Sequence, residues 1–430
     1  MKKILFVLGM GLALNSCDLI DDHLGGGPGT GISPKDVLEK NVQYPLPFSV
    51  LGTIENGVEV RNGGFGSAAT AHPSNKGEFY AITDRGPNTD FLDGKKFPVS
   101  EYTPRIGRFA VTEDAEVVLL EEILLKDPYG NPISGIPNPE GKGATGEIPY
   151  DIAGNQIPFD DFGMDAEGLV ALKDGTFWVS DEYGPHMVHY AADGRELERI
   201  SPIGVNEGNG GRKIPAVYAK RRANRGMEGL AVTPDERVLV GIMQSTMHNP
   251  ESIRADITRI VTLDLYSGKT QQFLYRQENV NLSNSEIVAL SNTKFLVVER
   301  DGNFAGSQAA QKQIYQIDLS GATDISTDDP ADELGLLVNG STIEQSTWEE
   351  LEAAGIVPVQ KKLVADLVAL NGYPHDKLEG IWLIDGNTIG CINDDDFAVI
   401  DSDGDGTIEQ KILPGTTDVD ASSLYLIPLN

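Results

Sequence analysis

The sequence predicts an all-β fold, a single β-propeller of about six blades (five to seven), with long inserted loops and a short helical insertion. Three observations carry this prediction. A short phrase containing a glutamate recurs along the chain, and each copy leads into an aliphatic run followed by a second β-rich run with a polar end. Forty-eight glycines and 24 prolines in 430 residues supply turns for many short strands. No helix-length amphipathic pattern separates the runs, which disfavours a parallel α/β sheet.

In chain order, the first element is a leader. Lys2 and Lys3 precede an apolar stretch from Ile4 to Leu14 and the sequence Leu14-Asn15-Ser16-Cys17. The stretch is too short to cross a bilayer and reads as a cleaved signal. Its Leu-x-Ser-Cys ending resembles a lipobox, so residues 1–17 are expected to be a lipoprotein signal and Cys17 the lipidated residue. Asn15 is unusual there, and an ordinary secretory signal is the alternative. Residues 18–44 begin acidic and glycine-rich and are expected to form a flexible tether, leaving 45–430 as one domain. The expected location is the bacterial cell envelope, periplasmic or surface-exposed, with lipid on Cys17 the only membrane contact. Cys391, in IGCIN, is then the one remaining cysteine and is expected in the core.

The net charge of −31 repels nucleic acid and anionic lipid and attracts cations. No nucleic-acid partner is expected, and the chain is expected to be a monomer. An anionic substrate would need local basic residues or bound metal; the acidity alone is also what keeps an exported protein soluble.

The units follow. A divergent one, Gly64-Phe65-Gly66-Ser67-Ala68-Ala69 with FYAITDRGPN, lacks the glutamate. Residues 127–163, rich in Gly and Pro, are expected to be a lid or an exposed loop. Asp165-Ala166-Glu167-Gly168-Leu169-Val170 opens the best-formed unit, whose Asp-Gly and Gly-Pro turns mark four strands up to Ile200. The phrase returns as Gly226-Met227-Glu228-Gly229-Leu230-Ala231, Asn284-Ser285-Glu286-Ile287-Val288-Ala289 and Lys377-Leu378-Glu379-Gly380-Ile381-Trp382. Its spacing, about 60 residues at first, exceeds the roughly 40–50 of common propeller blades and leaves room for longer loops. In the insertion at 320–362, Thr347 and Glu350 predict a capping box for a helix through Ala354.

In a propeller the innermost strand of each blade borders the central channel. Glu167, Glu228, Glu286 and Glu379 are therefore expected to converge at one mouth. Carboxylates at close range cannot all stay charged without a compensating cation, and calcium, with its six to eight oxygen ligands, suits such a set. The alternative is local pairing of each glutamate with an arginine or with backbone amides of the next blade. Strand-end residues are expected around the same rim: Asp84, Asp181 and Asp394 as further metal ligands, and Arg85, Arg225 and Arg300 as oxyanion binders. A network of structural salt bridges is the alternative there.

The basic island Arg212, Lys213, Lys220, Arg221, Arg222 and Arg225 reads either as an access point for an anion or as a loop balancing nearby acid. Asp401, Asp403 and Asp405 resemble the first part of an EF-hand loop, but the twelfth position is Ile412 rather than glutamate. They form either a separate structural calcium site or an Asp-Gly hairpin turn. His186 and His189 are expected on opposite sides of a strand. His72 and His375 are candidates for a general acid or plain rim histidines. There is no G-x-S-x-G elbow, H-E-x-x-H pair or P-loop.

The segments FYAITDRGPN, DAEGLV, FWVSDEYGP, RGMEGLAV, KLEGIWLI and NDDDF resemble an exported bacterial phytase-like family described by "esterase-like activity of phytase". The resemblance extends over roughly residues 45–428 and implies a β-propeller that hydrolyses phosphoric esters. It points to clustered calcium, as in β-propeller phytases, although their motifs have no residue-by-residue match here. The combined expectation is a lipid-anchored, calcium-dependent phosphoesterase taking a small anionic substrate such as a phosphoester. Glu167, Glu228, Glu286 and Glu379 would hold calcium together with Asp84, Asp181 and Asp394, and Arg85, Arg225 and Arg300 would stabilise charge. The alternatives are another propeller esterase or lactonase, or a non-catalytic envelope protein that binds a ligand.

Overall fold

Runs such as FWVS, VLVGIM and FLVV are apolar at successive positions, so both faces of their strands need cover. The computed structural model describes residues 32–429 apart from 209, 308 and 309, and it supplies that cover by stacking sheet against sheet. Five four-stranded antiparallel sheets form, the second extended by the short parallel strand Lys213–Ile214.

The first sheet comprises Ala68–Ala71, Glu78–Ile82, Arg105–Val111 and Val117–Leu124. The second comprises Ala166–Ala171, Phe177–Asp181, His186–Tyr190 and Glu196–Pro202. Met227–Val232, Val238–Met243, Ile257–Asp264 and Thr270–Arg276 make the third. Ser283–Ala289, Lys294–Arg300, Lys312–Asp318 and Gln360–Asp366 make the fourth. The fifth runs Ile381–Asp385, Thr388–Ile392 and Ser423–Pro428, and is completed by the N-terminal strand Tyr44–Pro45.

The first-named strands of the five sheets adjoin in chain order, and that of the fifth adjoins that of the first. There Gly380 N–H donates to Gly66 O at 2.8 Å. Every junction has its own apolar core. Ile82 and Ile106 meet Leu169 and Phe177, Trp178 and Met187 meet Leu230 and Val261, and Val240 and Ile260 meet Ile287 and Val297. Leu296 and Ile314 meet Ile381 and Tyr425, and Trp382 and Leu424 meet Phe79 and Phe109. Hydrophobic burial is thus spread over five interfaces rather than one core.

Five such sheets form where about six were expected. The long interval between Glu286 and Glu379 adds no sheet of this kind. It holds the hairpin Leu337–Val338 with Ser341–Thr342 and the helix Trp348–Ala353, capped reciprocally by Thr347 and Glu350 as expected. This insertion packs Ile343, Leu351 and Ile356 on Ile257 and Leu274 of the third sheet. The fully buried pair Arg259 Nε and Glu344 Oε1, at 2.7 Å, pins it there.

The stretch expected as a tether joins the fold before residue 45. Pro34–Val37 is helical, Leu38 is buried, and Asn41 N–H donates to Leu426 O at 2.9 Å. The leader and Cys17 lie outside the described residues. Among the described residues no helix is long and apolar enough to cross a membrane, and Cys391 is buried in the core as expected.

Candidate functional site

The recurring glutamates sit where the inner strands break register. Ala166 pairs with Asp181 and Gly168 with Ser180, which leaves Glu167 as an unpaired bulge residue at the strand start. Glu228 lies in the corresponding irregularity between Met227 and Leu230, and Glu379 directly precedes Gly380, whose carbonyl accepts from Ile392 N–H at 2.8 Å. Because the inner strands adjoin side by side, these three carboxylates come to one end of the ring. They line a cavity of ≈ 330 Å³ together with Asp84, Asp165 and Glu182, and with Arg85, Arg225, Arg300 and Lys377.

Asp84, Asp165 and Glu167 each offer an oxygen within 4.8 Å of the other two. Asp84 accepts from Gly86 N–H at 2.8 Å, and Asp165 accepts from Arg85 N–H at 3.3 Å. Among the described residues Glu167 accepts no hydrogen bond and makes no close ion pair, and Arg300 acts on it only at longer range. Three hard oxygen donors with so little protein compensation suit calcium, or another divalent cation that prefers oxygen.

The surrounding groups form a fixed frame. Arg225 Nη1 donates to Gln244 Oε1 at 2.6 Å and to Ser283 Oγ at 3.1 Å. The amide of Gln244 then donates to Glu182 at 2.7 Å and to Glu228 at 2.9 Å. Arg300 Nη2 donates to Glu379 Oε1. Arg85 Nη1 donates to Asn224 at 2.8 Å and lies 3.4 Å from Asp165 and 3.5 Å from Glu147. Lys377 bridges Asp394 and Asp396 at 2.7 and 2.6 Å.

Negative charge still dominates. Burial, followed by repulsion from Glu228, Asp165, Glu379 and Glu182, pushes the Glu167 carboxyl well above its usual range. Burial and then Asp394 and Asp165 do the same to Asp84. Burial and Glu379 push Glu228 up to about 8, against the pull of Arg300. Oε2 of Glu228 has no hydrogen-bond partner among the described residues. A site in this condition holds either protons or a cation.

Several expected site residues lie elsewhere. Glu286 is not at this mouth. Asn284 pairs with Glu299 and Glu286 with Val298, just as Ala166 pairs with Asp181 and Gly168 with Ser180. Ser285 therefore holds the bulge position and Glu286 the position of the glycine, and a slip of one residue turns a side chain to the other face. Asp181 also faces away: its carboxylate accepts from Asp165 N–H and Tyr183 N–H and lies 3.7 Å from Arg199. Its neighbour Glu182 takes the place in the cavity. Asp394 is buried behind Lys377 and borders Asp84 only electrostatically.

Asp403 and Asp405 are exposed in the turn between Val399–Ile400 and Glu409–Gln410. Asp401 spends its oxygens on the N–H groups of Gly404, Asp405 and Gly406, so the segment is a hairpin turn. The basic island is dispersed. Arg212 pairs with Glu198 and Lys220 with Glu333, Arg221 holds the carbonyls of Gly143 and Ala144, and only Arg225 lines the cavity.

His186 is buried beside Asp181 and Lys142 O, whereas His189 stacks on Trp178, confirming their separation. His72 accepts the N–H groups of Ser74 and Asn75 in the turn after Ala71, away from the acidic cavity, and His375 is buried between Asp420 and Tyr425. The loop at 127–163 is tied down by Arg221 and His186 and approaches the site through Glu147, 3.5 Å from Arg85.

Asp165, Gln244 and Lys377 were not singled out as site residues from the sequence. A signal exists for most of them. Gln244, like Glu182, directly follows the last paired residue of a second strand, and Asp165 belongs to the first glutamate phrase.

A family model for "Phytase-like: Esterase-like activity of phytase" matches residues 60–397. A protein of Arthroderma benhamiae described as an uncharacterized secreted protein is 26% identical over 326 residues, which cover 59% of this chain and 62% of that protein. This chain thus spans less than two thirds of that relative's length. Among solved structures, the PQQ-bound aldose sugar dehydrogenase of Streptomyces coelicolor is 12% identical, with a TM-score of 0.33, over 91% of this chain and 97% of that one. The GH43 endo-arabinanase of Bacillus licheniformis is 9% identical, with a TM-score of 0.34, over 86% of this chain and 95% of that one.

Proposed function

The chain belongs to the phytase-like family, and from that premise we propose that it is an exported, calcium-dependent hydrolase of phosphoric esters. One observation carries the reading: a three-carboxylate set, Asp84, Asp165 and Glu167, shares a single cavity with the guanidinium groups of Arg85, Arg225 and Arg300. Carboxylates alone would repel a phosphoester, and arginines alone would not need so much acid around them.

In this reading Asp84, Asp165 and Glu167 would hold the calcium, which would supply electrophilic charge to the phosphoryl group. Arg225 and Arg300, fixed by Gln244 and Glu379, contact the non-bridging oxygens and stabilise charge that grows on them. A water attacks phosphorus as its bond to the leaving oxygen breaks, and Glu228, which keeps a proton at neutral pH, gives it through Oε2 to that oxygen. Glu286, Asp181 and Asp394 have no part in it.

The ring of five sheets is read as a five-bladed β-propeller, a reading supported by the cyclic order of inner strands and a core at each junction. Export and a lipid anchor at Cys17 are supported by the leader sequence, and export also by the relative described as secreted.

The test is hydrolysis of phosphomonoester, phosphodiester and carboxylic-ester panels, with calcium and with chelator. Calcium-dependent turnover of a phosphoester is expected. Turnover confined to carboxylic esters would replace the reading with that of an esterase or lactonase, and no turnover on any panel would leave a binding protein.

A further inference from the structure

The other end of the inner strands encloses a second cavity, of ≈ 200 Å³, separate from the acidic mouth. Its lining comes from the later residues of the same five strands and is mostly aliphatic, with Leu169, Leu230, Ile287, Val288 and Leu383 beside Trp382. One ionisable side chain lines it: Glu286.

Register explains how a carboxylate reaches this place. Glu286 occupies the position held by Gly168, Gly229 and Gly380 in three other sheets and by Ala68 in the first. Four inner strands thus place a hydrogen or a methyl group where the fourth sheet places a carboxylate. Glu286 is 1% exposed. Its Oε1 accepts from its neighbour Ile287 N–H at 2.9 Å, and the N–H groups of Leu230 and Ala69 also favour its charged form, whereas Oε2 makes no close hydrogen bond among the described residues. No cationic side chain lines the cavity.

We propose that this cavity is a binding site for a small organic ammonium ion, with Glu286 as its counter-ion and the aliphatic wall as the seat of its carbon skeleton. The chemistry of the lining selects the class. A buried carboxylate answered only by backbone N–H groups and by no cation is costly and gains most from a cation. An inorganic cation would exchange its water for aliphatic walls and a single carboxylate, far from the six to eight oxygens calcium prefers. A neutral hydrocarbon would leave the carboxylate unanswered. A cation with apolar groups of its own meets both demands, and Trp382 is the type of side chain on which such ions also rest. The volume, below the roughly 300–1,000 Å³ of pockets for drug-sized ligands, restricts the ion to a few carbons. The inference is independent of phosphoester hydrolysis, because it uses the opposite end of the ring and none of the groups assigned to that reaction.

Calorimetric titration of the full chain with n-butylammonium chloride and, separately, with n-butanol tests it, with calcium titrated into the same samples to report on the acidic mouth. Butylammonium is expected to bind and butanol not, and Glu286→Gln is expected to weaken the amine about tenfold or more, as loss of a charged hydrogen bond does. Should that variant fail to fold by circular dichroism, Ala71→Trp decides. It places an indole at the exposed rim and is expected to abolish amine binding while calcium binding persists. Absence of amine binding, equal binding of amine and alcohol, unchanged affinity in a folded Glu286→Gln or Ala71→Trp, or full displacement of the amine by calcium would each overturn the proposal.

Discussion

Arg300 of the fourth sheet donates through Nη2 to Oε1 of Glu379 on the fifth, inside the wall of the acidic cavity. The pair joins two neighbouring sheets at the mouth of the ring and is the one close ion pair of Glu379 among the described residues, with Lys377 acting at longer range. Arg300→Met removes that partner and leaves a buried carboxylate without a close cation, a change that costs about 3–5 kcal/mol in comparable buried pairs. The expected result in urea unfolding without calcium is a lower midpoint. A midpoint equal to wild type would mean that Glu379 is stabilised by something other than Arg300.

Glu167→Gln keeps the shape of the side chain and removes one of three charges from the set with Asp84 and Asp165. Calcium affinity measured by calorimetry is expected to fall about tenfold or more, since ligand charge count sets the affinity of such sites. Phosphoester turnover at fixed subsaturating calcium should fall with it. Wild-type affinity in this variant would place the cation elsewhere.

Carboxyls raised by burial bind their proton more tightly in the folded chain than in the unfolded one. Asp181 and Asp394 are pushed up to about 7, and Asp395 and Glu228 to about 8. The stability linked to those protons is complete below about pH 4, where the unfolded groups are also protonated, and is lost as pH rises through about 7–8. The melting temperature of calcium-free protein is therefore expected to fall between about pH 5 and pH 8. Calcium is expected to flatten the fall, because it compensates Glu167 and Asp84, whose carboxyls burial and mutual repulsion also raise. A calcium-free melting temperature that climbs over this interval contradicts the account.

Thr347→Ala breaks the reciprocal cap in which Thr347 Oγ1 accepts from Glu350 N–H and Glu350 accepts from Thr347 N–H. The cost is expected at about 1 kcal/mol, read as a small fall in the denaturant midpoint, with calcium binding unchanged because the helix packs on the outer part of the third sheet.

Much of this architecture was legible in the sequence because it is local. The paired β-rich runs, their Asp-Gly turns and the capping box depend on residues a few positions apart, and each appears where expected. Gly175, at φ 86, closes the turn between Leu172 and Thr176 as the Lys173-Asp174-Gly175 signal implied. The convergence of Glu167, Glu228 and Glu379 with Arg85, Arg225, Arg300 and Asp84 also followed, since equivalent positions of successive units fall at one end of a ring. The count of five sheets rather than six did not follow, because the insertion before Glu379 has strand-like and turn-like composition yet packs as an appendage.

What the sequence determined by itself was the periodic placing of acid at strand starts and the apolar character of both strand faces, which together require stacked sheets and a charged rim. The tertiary structure decided which acid faces which space. A bulge at Glu167 and at Ser285 sets side-chain parity, so Glu286 turns into the aliphatic end and Glu182 displaces Asp181 from the mouth. A repeated phrase shows that a glutamate recurs; only the pairing of each strand with its neighbour fixes, to the single residue, the direction it points.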